Sequence, residues 1–295
     1  MMKSLLVTMR PEQWTKNLVL FAGLLFAGGL TDPALVGLSV QGFLAFCLLS
    51  GASYMMNDLV DLRSDREHPE KRLRPLASGA LSLHAAGIAA ALAAGGGIAW
   101  SYALSTPFGH VALAYVCLNV LYSLVLRRVV ILDVMSIAVG FVLRAVASVE
   151  VLVTLAPTIE LSPWLLVCTF FLALFLGLGK RRHEAIALGS AAGDHRPTLD
   201  RYPRGYVDAL IGIVASSTIV SYAIYTIWPG TVEKVGSTQL VYTIPFVVYG
   251  VLRYLYLMLA TGQGGKPAKA LVSDRPLGLT IILWAGVVAI VIYAR

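Results

Sequence analysis

Residues 54–79 read YMMNDLVDLRSDREHPEKRLRPLASG, and here an apolar sequence gives way to alternating acid and base. Asn57, Asp58, Asp61 and Asp65 form an N-D-x-x-D-x-x-x-D pattern. Steps of three and four residues place Asp58, Asp61 and Asp65 on one face of a helix. Neighbouring carboxylates repel, so the pattern calls for a cation among them. Hard oxygen ligands on this spacing suit Mg²⁺, which keeps several waters and completes its shell with substrate phosphates. The competing reading is a solvated loop of mixed charge. Against it, Asn57, Asp58 and Asp61 prolong an apolar helix with no turn residue before Pro69. Carboxylates at the end of a buried helix are costly unless paired or metal-bound.

The surrounding composition fixes the setting. Of 295 residues, 58% are hydrophobic and 13% charged, and the mean hydropathy of +0.77 removes the chain from the soluble globular class. Windows of about 20 apolar residues predict an all-α, polytopic membrane protein with nine transmembrane helices near 18–31, 35–56, 83–104, 108–126, 131–154, 164–179, 206–228, 240–260 and 277–293. The first apolar run is not read as a cleavable signal, because no small-residue cleavage site follows it. With the N-terminus in the cytoplasm, 19 of the 23 Lys and Arg residues fall in inside segments, as the positive-inside rule requires. The same asymmetry accounts for the net charge of +7 and argues against nucleic acid as a partner. Cys47, Cys117 and Cys168 lie in apolar runs without ligand spacing and read as small hydrophobes. The expectation is a single membrane domain, residues 1–295, whose cytoplasmic loops 58–81 and 180–205 cap the active site; residues 261–276 read as a mobile loop.

Charged residues outside the acidic stretch divide into anchors and candidate ligands. Lys71 and Arg74 continue the first loop, and Lys180, Arg181 and Arg182 open the second. A basic run at a helix end is often a positive-inside anchor, but beside a carboxylate set it also describes a cradle for anions. Asp208 enters the apolar start of the seventh span, which a helix N-terminus tolerates. Arg144 is the sharpest single residue, well inside the fifth span and three turns beyond Asp133 on the same face. An arginine at that depth is expensive and by default faces a cavity or protein interior, with a substrate phosphate or Asp133 as partner. Lys16 and Asn17 at the first span, and Asn119 and Tyr122 in the fourth, line a cavity or serve as interfacial anchors and interhelical contacts.

These residues resemble the UbiA superfamily of intramembrane transferases, whose signature is the N-D-x-x-D-x-x-x-D of Asn57–Asp65 followed by the K-x-x-R-P-like stretch Lys71–Pro75. The resemblance covers nearly the whole chain. Family prenyltransferases that act on aromatic acceptors carry a second aspartate-rich motif after span six, where this chain has GLGKRRHE and DRYPRGYVD instead. Together with RPEQWTKN and DVMSIAVGFVLRA, those blocks are similar to the branch that uses decaprenyl phosphate as phosphoribosyl acceptor. That resemblance implies 5-phosphoribosyl 1-diphosphate (PRPP) as donor, a polyprenyl phosphate as acceptor, Mg²⁺ on Asp58, Asp61 and Asp65 with Asn57 beside them, and inversion at C1. Lys16, Asn17, Lys71, Arg74, Tyr122, Arg144, Lys180, Arg181, Arg182 and Asp208 are then the substrate-binding candidates. It further implies a multi-pass plasma-membrane protein with a cytoplasmic active site, a place in cell-wall arabinan precursor synthesis, and room for a homo-oligomer. The alternatives are a prenyltransferase moving an isoprenoid chain from its diphosphate, and a cation-coupled transporter using the carboxylates as an ion site.

Overall fold

Aspartate, serine and proline punctuate the chain where its helices begin, and the computed structural model is helical wherever it has regular structure. It describes residues 2–26, 28–159, 162–188, 202, 205–261, 265, 270 and 273–293. Among these residues there is no strand. The α-helices are α1 (Met2–Met9), α2 (Ala22–Phe26), α3 (Pro33–Val60), α4 (Leu62–Glu67), α5 (Leu83–Leu104) and α6 (Thr106–Leu124). They continue as α7 (Leu132–Glu150), α8 (Pro163–Leu188), α9 (Tyr206–Ile227), α10 (Pro229–Val235), α11 (Ile244–Ala260) and α12 (Arg275–Tyr293).

Helix α3 starts on Asp32, whose carboxylate accepts from the amides of Ala34 at 2.8 Å and Leu35 at 3.4 Å, with Pro33 in the first turn. Ser82 and Ser105 cap α5 and α6 in the same way, accepting from Ala85 at 3.2 Å and Phe108 at 3.1 Å. Among the described residues, eight helical stretches are long and apolar enough to cross a membrane: α3, α5, α6, α7, α8, α9, the segment Gln239–Ala260 that contains α11, and α12.

The first expected span takes a different form. Residues Pro11–Phe21 are a 3₁₀-helix that runs directly into α2. Eleven residues at about 2.0 Å and five at about 1.5 Å reach roughly 30 Å, the thickness of the hydrocarbon core. The tighter coil therefore covers with few residues the length that an α-helix needs about 20 residues to cover. Gly28, at φ +66°, turns the chain after it.

The chain divides into two compact units, Met1–Arg127 with Gly140–Glu160, and Arg128–Val139 with Leu161–Arg295. The core of the first joins Leu20 and Leu24 to Phe46 and Leu49 of α3, Phe108 and Tyr115 of α6, and Ala147 of α7. Backbone approach is close there: a Cβ on Gly23 would lie 2.1 Å from the Ser148 carbonyl oxygen, and the Gly23 amide donates to Ser148 Oγ at 3.0 Å. In the second unit, Val134, Phe175, Leu178, Ile211, Val251 and Leu257 pack together. A separate cluster holds Cys168, Tyr225 and Val288, where Tyr222 Oη bonds Thr243 Oγ1 at 2.7 Å and accepts from Trp284 Nε1 at 2.8 Å.

Candidate active site

In the first unit, α3 carries Cys47, Ser50, Tyr54 and Asp58 at steps of three and four, one stripe along one helical face. The stripe ends in the acidic stretch. Helix α3 stops at Val60, and Asp61 leaves helical geometry at φ −91°, ψ 3°. The hydrogen-bond register nevertheless continues, with the Asp61 amide on the Asn57 carbonyl at 2.9 Å and the Asp65 amide on the Asp61 carbonyl at 2.8 Å. Asp58 and Asp65 consequently face inward, each 2% exposed, while Asp61 remains partly open.

The cation expected among the carboxylates is an arginine here. Arg74 Nη1 lies 3.1 Å from Asp58 Oδ1 and 2.5 Å from Asp65 Oδ2. Asp58 also accepts from Arg10, whose guanidinium lies 5.0 Å from the Tyr54 ring centroid. Asp61 pairs with Arg127 at 2.5 Å. Three carboxylates thus meet three guanidiniums. Arg10 reaches its place from a left-handed backbone, φ 53°, immediately before Pro11, a costly conformation for a residue with a Cβ. Arg74 is held by its loop: Leu76 and Leu81 bury against Ala86 and pack on Leu5, Leu59 and Leu62, and the Leu81 amide bonds the Pro75 carbonyl at 2.9 Å. Lys71 begins a 3₁₀ turn in the same loop, where His68 Nδ1 accepts from the amides of Glu70 at 3.1 Å and Lys71 at 3.3 Å.

The residues suit a hard divalent ion through Asp58 and Asp65, whose oxygens already converge on one cationic atom; such an ion keeps waters and needs few protein ligands. Asp61 stands apart from them with Arg127. Among the described residues, no three His, Cys, Asp or Glu side chains come together as a ligand group. The expected three-carboxylate face is therefore a converging pair on Arg74 and a neighbour on Arg127. Asn57 Oδ1 accepts from Ser123 Oγ on α6. Tyr122, next in the chain to Ser123, is half-buried.

Helix α7 brings Arg144, 6% exposed, to the Cys47–Ser50 end of the stripe through Asn17. Its Nε donates to Asn17 Oδ1 at 2.8 Å, Nη2 to Tyr115 Oη at 2.7 Å and Nη1 to the Gly140 carbonyl at 2.9 Å. Asn17 in turn donates to Ser50 Oγ at 3.1 Å and to Cys47 Sγ at 3.5 Å. Arg144 makes no ion pair among the described residues, so a buried cation is held by neutral dipoles. The expected partnership with Asp133 does not form, since their separation is roughly 16 Å along the helix axis. Lys16 and Asn17, neighbours in sequence, separate: Asn17 is buried and Lys16 exposed.

In the second unit the basic block is committed to acids. Arg181, 2% exposed, donates Nε to Asp133 Oδ2 and Nη1 to Glu184 Oε2, both at 2.9 Å. Tyr202 Oη donates to Asp133 Oδ1 and accepts from the Ile131 amide, each at 2.9 Å. Burial, reinforced by the Asp133 carboxylate, pushes the Tyr202 phenol up to about 12, so it stays a donor. Arg182 Nε bonds Asp208 at 2.6 Å in the first turn of α9, and Lys180 is exposed, 3.8 Å from Glu184. The three contiguous cations therefore do not form one open cradle: Lys180 and Arg181 share Glu184, Arg181 also meets Asp133, and Arg182 turns to Asp208. The remainder of loop 180–205 and most of 261–276 lie outside the described residues.

Residues 17–273 match the model of the UbiA prenyltransferase family. The chain belongs to that family. It is 31% identical to the decaprenyl-phosphate phosphoribosyltransferase of Corynebacterium glutamicum, over 97% of this chain and 85% of the relative. It is 29% identical to the enzyme of that name from Mycolicibacterium smegmatis, over 99% and 93%. The fold is that of a UbiA homolog from Archaeoglobus fulgidus solved with GPP and Mg²⁺, at TM-score 0.72 and 20% identity over 98% and 99% of the chains. This UbiA-family chain is thus an integral membrane transferase, and Asn57, Asp58, Asp61 and Asp65 sit at and just beyond the C-terminal end of α3. Arg10, Tyr115, Ser50 and Arg127, absent from the sequence-based site, join it in the structure. Their only signals were a Pro after Arg10 and helical spacing from Asp58 back to Ser50.

Proposed function

We propose that this UbiA-family protein transfers the 5-phosphoribosyl group of PRPP to a polyprenyl monophosphate, releasing diphosphate. The observation that carries the reading is similarity, over nearly the full chain, to relatives named decaprenyl-phosphate phosphoribosyltransferase. The site chemistry agrees with it. PRPP brings a diphosphate, which requires a cation-bearing acidic site, and a 5-phosphate, which requires fixed positive charge.

Asp58 and Asp65, with Asp61, would hold Mg²⁺ in this reading, and Asn57, held by Ser123, would belong to the same site. Mg²⁺ would supply neutralisation of the leaving diphosphate. Arg74, Arg10 and Lys71 bind the diphosphate oxygens, with Arg74 able to grip in a bidentate fashion. Arg144, oriented by Asn17 and Tyr115, offers the monophosphate subsite of the first unit, while Lys16 and Tyr122 remain further substrate contacts in this reading. In the second unit Lys180 faces solvent as a ligand for an anionic headgroup, while Arg181, Arg182 and Asp208 act as positioning residues. The C1–oxygen bond to diphosphate breaks with its electron pair on the leaving group, and an oxygen of the lipid phosphate forms the new bond from the opposite face. That oxygen is already anionic, so no strong general base is required. The reading includes a plasma-membrane location with the N-terminus and site in the cytoplasm, as the basic-residue asymmetry supports.

The test is purified protein in detergent with Mg²⁺, labelled PRPP and a polyprenyl phosphate, followed by lipid extraction. Label in the lipid supports the reading. Consumption of an isoprenoid diphosphate, with no label in the lipid, overturns it in favour of prenyl transfer.

A further inference from the structure

We infer that Arg74, between Asp58 and Asp65, and Arg10, on Asp58, stand in for the metal while the donor is absent, and pass to the donor's phosphates as a divalent cation replaces them on the carboxylates. The inference rests on the donor-site reading above and extends it to the order in which ligands enter.

The geometry behind it is a single atom. Arg74 Nη1 contacts Asp58 Oδ1 and Asp65 Oδ2 at 3.1 and 2.5 Å, so the position a bridging cation needs is filled by a guanidinium nitrogen. Arg10 occupies Asp58 from a second direction while lying over Tyr54. Both carboxylates are nearly inaccessible, their side chains 3% exposed, whereas the Arg74 and Arg10 side chains are 28% and 25% exposed. The acids are fixed in place and the bases lie on the open side. The guanidiniums are therefore the groups that can leave.

Charge then dictates the order. Asp58, Asp61 and Asp65 against Arg74, Arg10 and Arg127 sum to zero. A divalent cation entering alone must displace Arg74 from the two carboxylate oxygens it bonds and give it no anion in exchange, which opposes binding. A diphosphate entering alone meets two buried carboxylates, which opposes it too. When both enter, the metal satisfies Asp58 and Asp65, and the released arginines find phosphate oxygens. Guanidinium is suited to this exchange, because its planar fork matches carboxylate and phosphate alike. Metal and diphosphate accordingly bind as a pair, a coupling that each must feel reciprocally. An empty site holds no metal ready to polarise a stray phosphate.

The full-length protein in detergent provides the test, with Mn²⁺ as the metal probe and labelled inorganic diphosphate as the anion probe. Mn²⁺ binding alone is read by its electron paramagnetic resonance signal, and diphosphate retention by equilibrium dialysis with and without Mn²⁺. Arg74→Gln should bind Mn²⁺ alone about tenfold more tightly than the parent, the scale of one charge-assisted hydrogen bond, while retaining less diphosphate. Opposite movement of the two affinities is the signature, since an arginine that only supports the fold would weaken both. Should Arg74→Gln not fold, Arg10→Gln gives the same comparison at the second contact. Parent protein that binds Mn²⁺ while neither variant binds it more tightly overturns the exchange and leaves the donor site standing. Parent protein that binds no Mn²⁺ even with diphosphate overturns both.

Discussion

Arg144 Nε donates to Asn17 Oδ1 at 2.8 Å, joining residues 127 positions apart in sequence. The bond determines the charge of the neighbourhood, because a neutral amide stands where an acid of nearly the same shape would fit. Asn17→Asp supplies that acid. The variant should keep its thermal stability in detergent, as a buried guanidinium gains a counter-ion. Transfer should nevertheless fall at least about tenfold, with the loss in KM for the substrate whose phosphate Arg144 holds. Unchanged kinetics in a folded Asn17→Asp protein would show that the positive charge of Arg144 does not serve substrate.

Asp58 and Asp65 share Arg74, whereas Asp61 is partly open and pairs with Arg127. Replacing Asp58 or Asp65 by Asn keeps volume but removes charge from the converging pair. Turnover should drop by about two orders of magnitude or more, with Mg²⁺ titration shifted to higher concentration. Asp61→Asn should lower turnover less. Near-normal rates in Asp58→Asn, measured at saturating Mg²⁺ with labelled PRPP, would remove the carboxylate pair from the reaction.

Much of the architecture was legible because lipid forces apolar runs to declare themselves: α5 covers Leu83–Leu104, the range expected from hydropathy, and α9 ends one residue short of its expected bound. The apolar run near 18–31 was legible but not the 3₁₀ coil of Pro11–Phe21, since 3₁₀ runs longer than three or four residues are uncommon and such a run reads as α. The acidic signature was legible through its spacing. Its arginines were not, for Arg10 and Arg127 counted only toward orientation, and their pairing with Asp58 and Asp61 depends on contacts 48 and 66 residues apart. Helical phase alone suggested Asp133 for Arg144. Phase ignores axial distance, and Asp133 instead meets Arg181 from α8.

Asp274 ties α12 to α11 through two bonds from Arg253, at 3.2 and 2.8 Å, and accepts from the Leu277 amide at 2.9 Å. The Arg253 hydrogen bond holds its carboxyl below the usual carboxylate range. A depressed folded-state value means that the contribution to stability is fully present above the unfolded value of about 3.9 and is lost as pH falls through the folded one. Asp274→Asn should therefore melt below the parent by a constant interval from neutrality down to about pH 4. The interval should close in more acidic buffer. An interval that widened on acidification would contradict the assignment.

Arg181 and Asp133 form a buried pair, 2% and 0% exposed at the side chain. Removing either partner takes the most buried contact from the other, leaving Arg181 to Glu184 or Asp133 to Tyr202, and breaking such a pair costs about 3–5 kcal/mol. Arg181→Met should thus lower the melting temperature sharply. In Asp133→Asn the loss should be partly relieved, since the amide still accepts from Tyr202 Oη, now 2.9 Å from Oδ1. The double variant Arg181→Met with Asp133→Leu should recover most of the stability, because the two buried charges go together and Glu184 keeps Lys180 at 3.8 Å. Recovery of stability with transfer intact would assign Arg181 to holding α8 against the start of α7. Recovery of stability with transfer still lost would give its guanidinium a part in binding substrate.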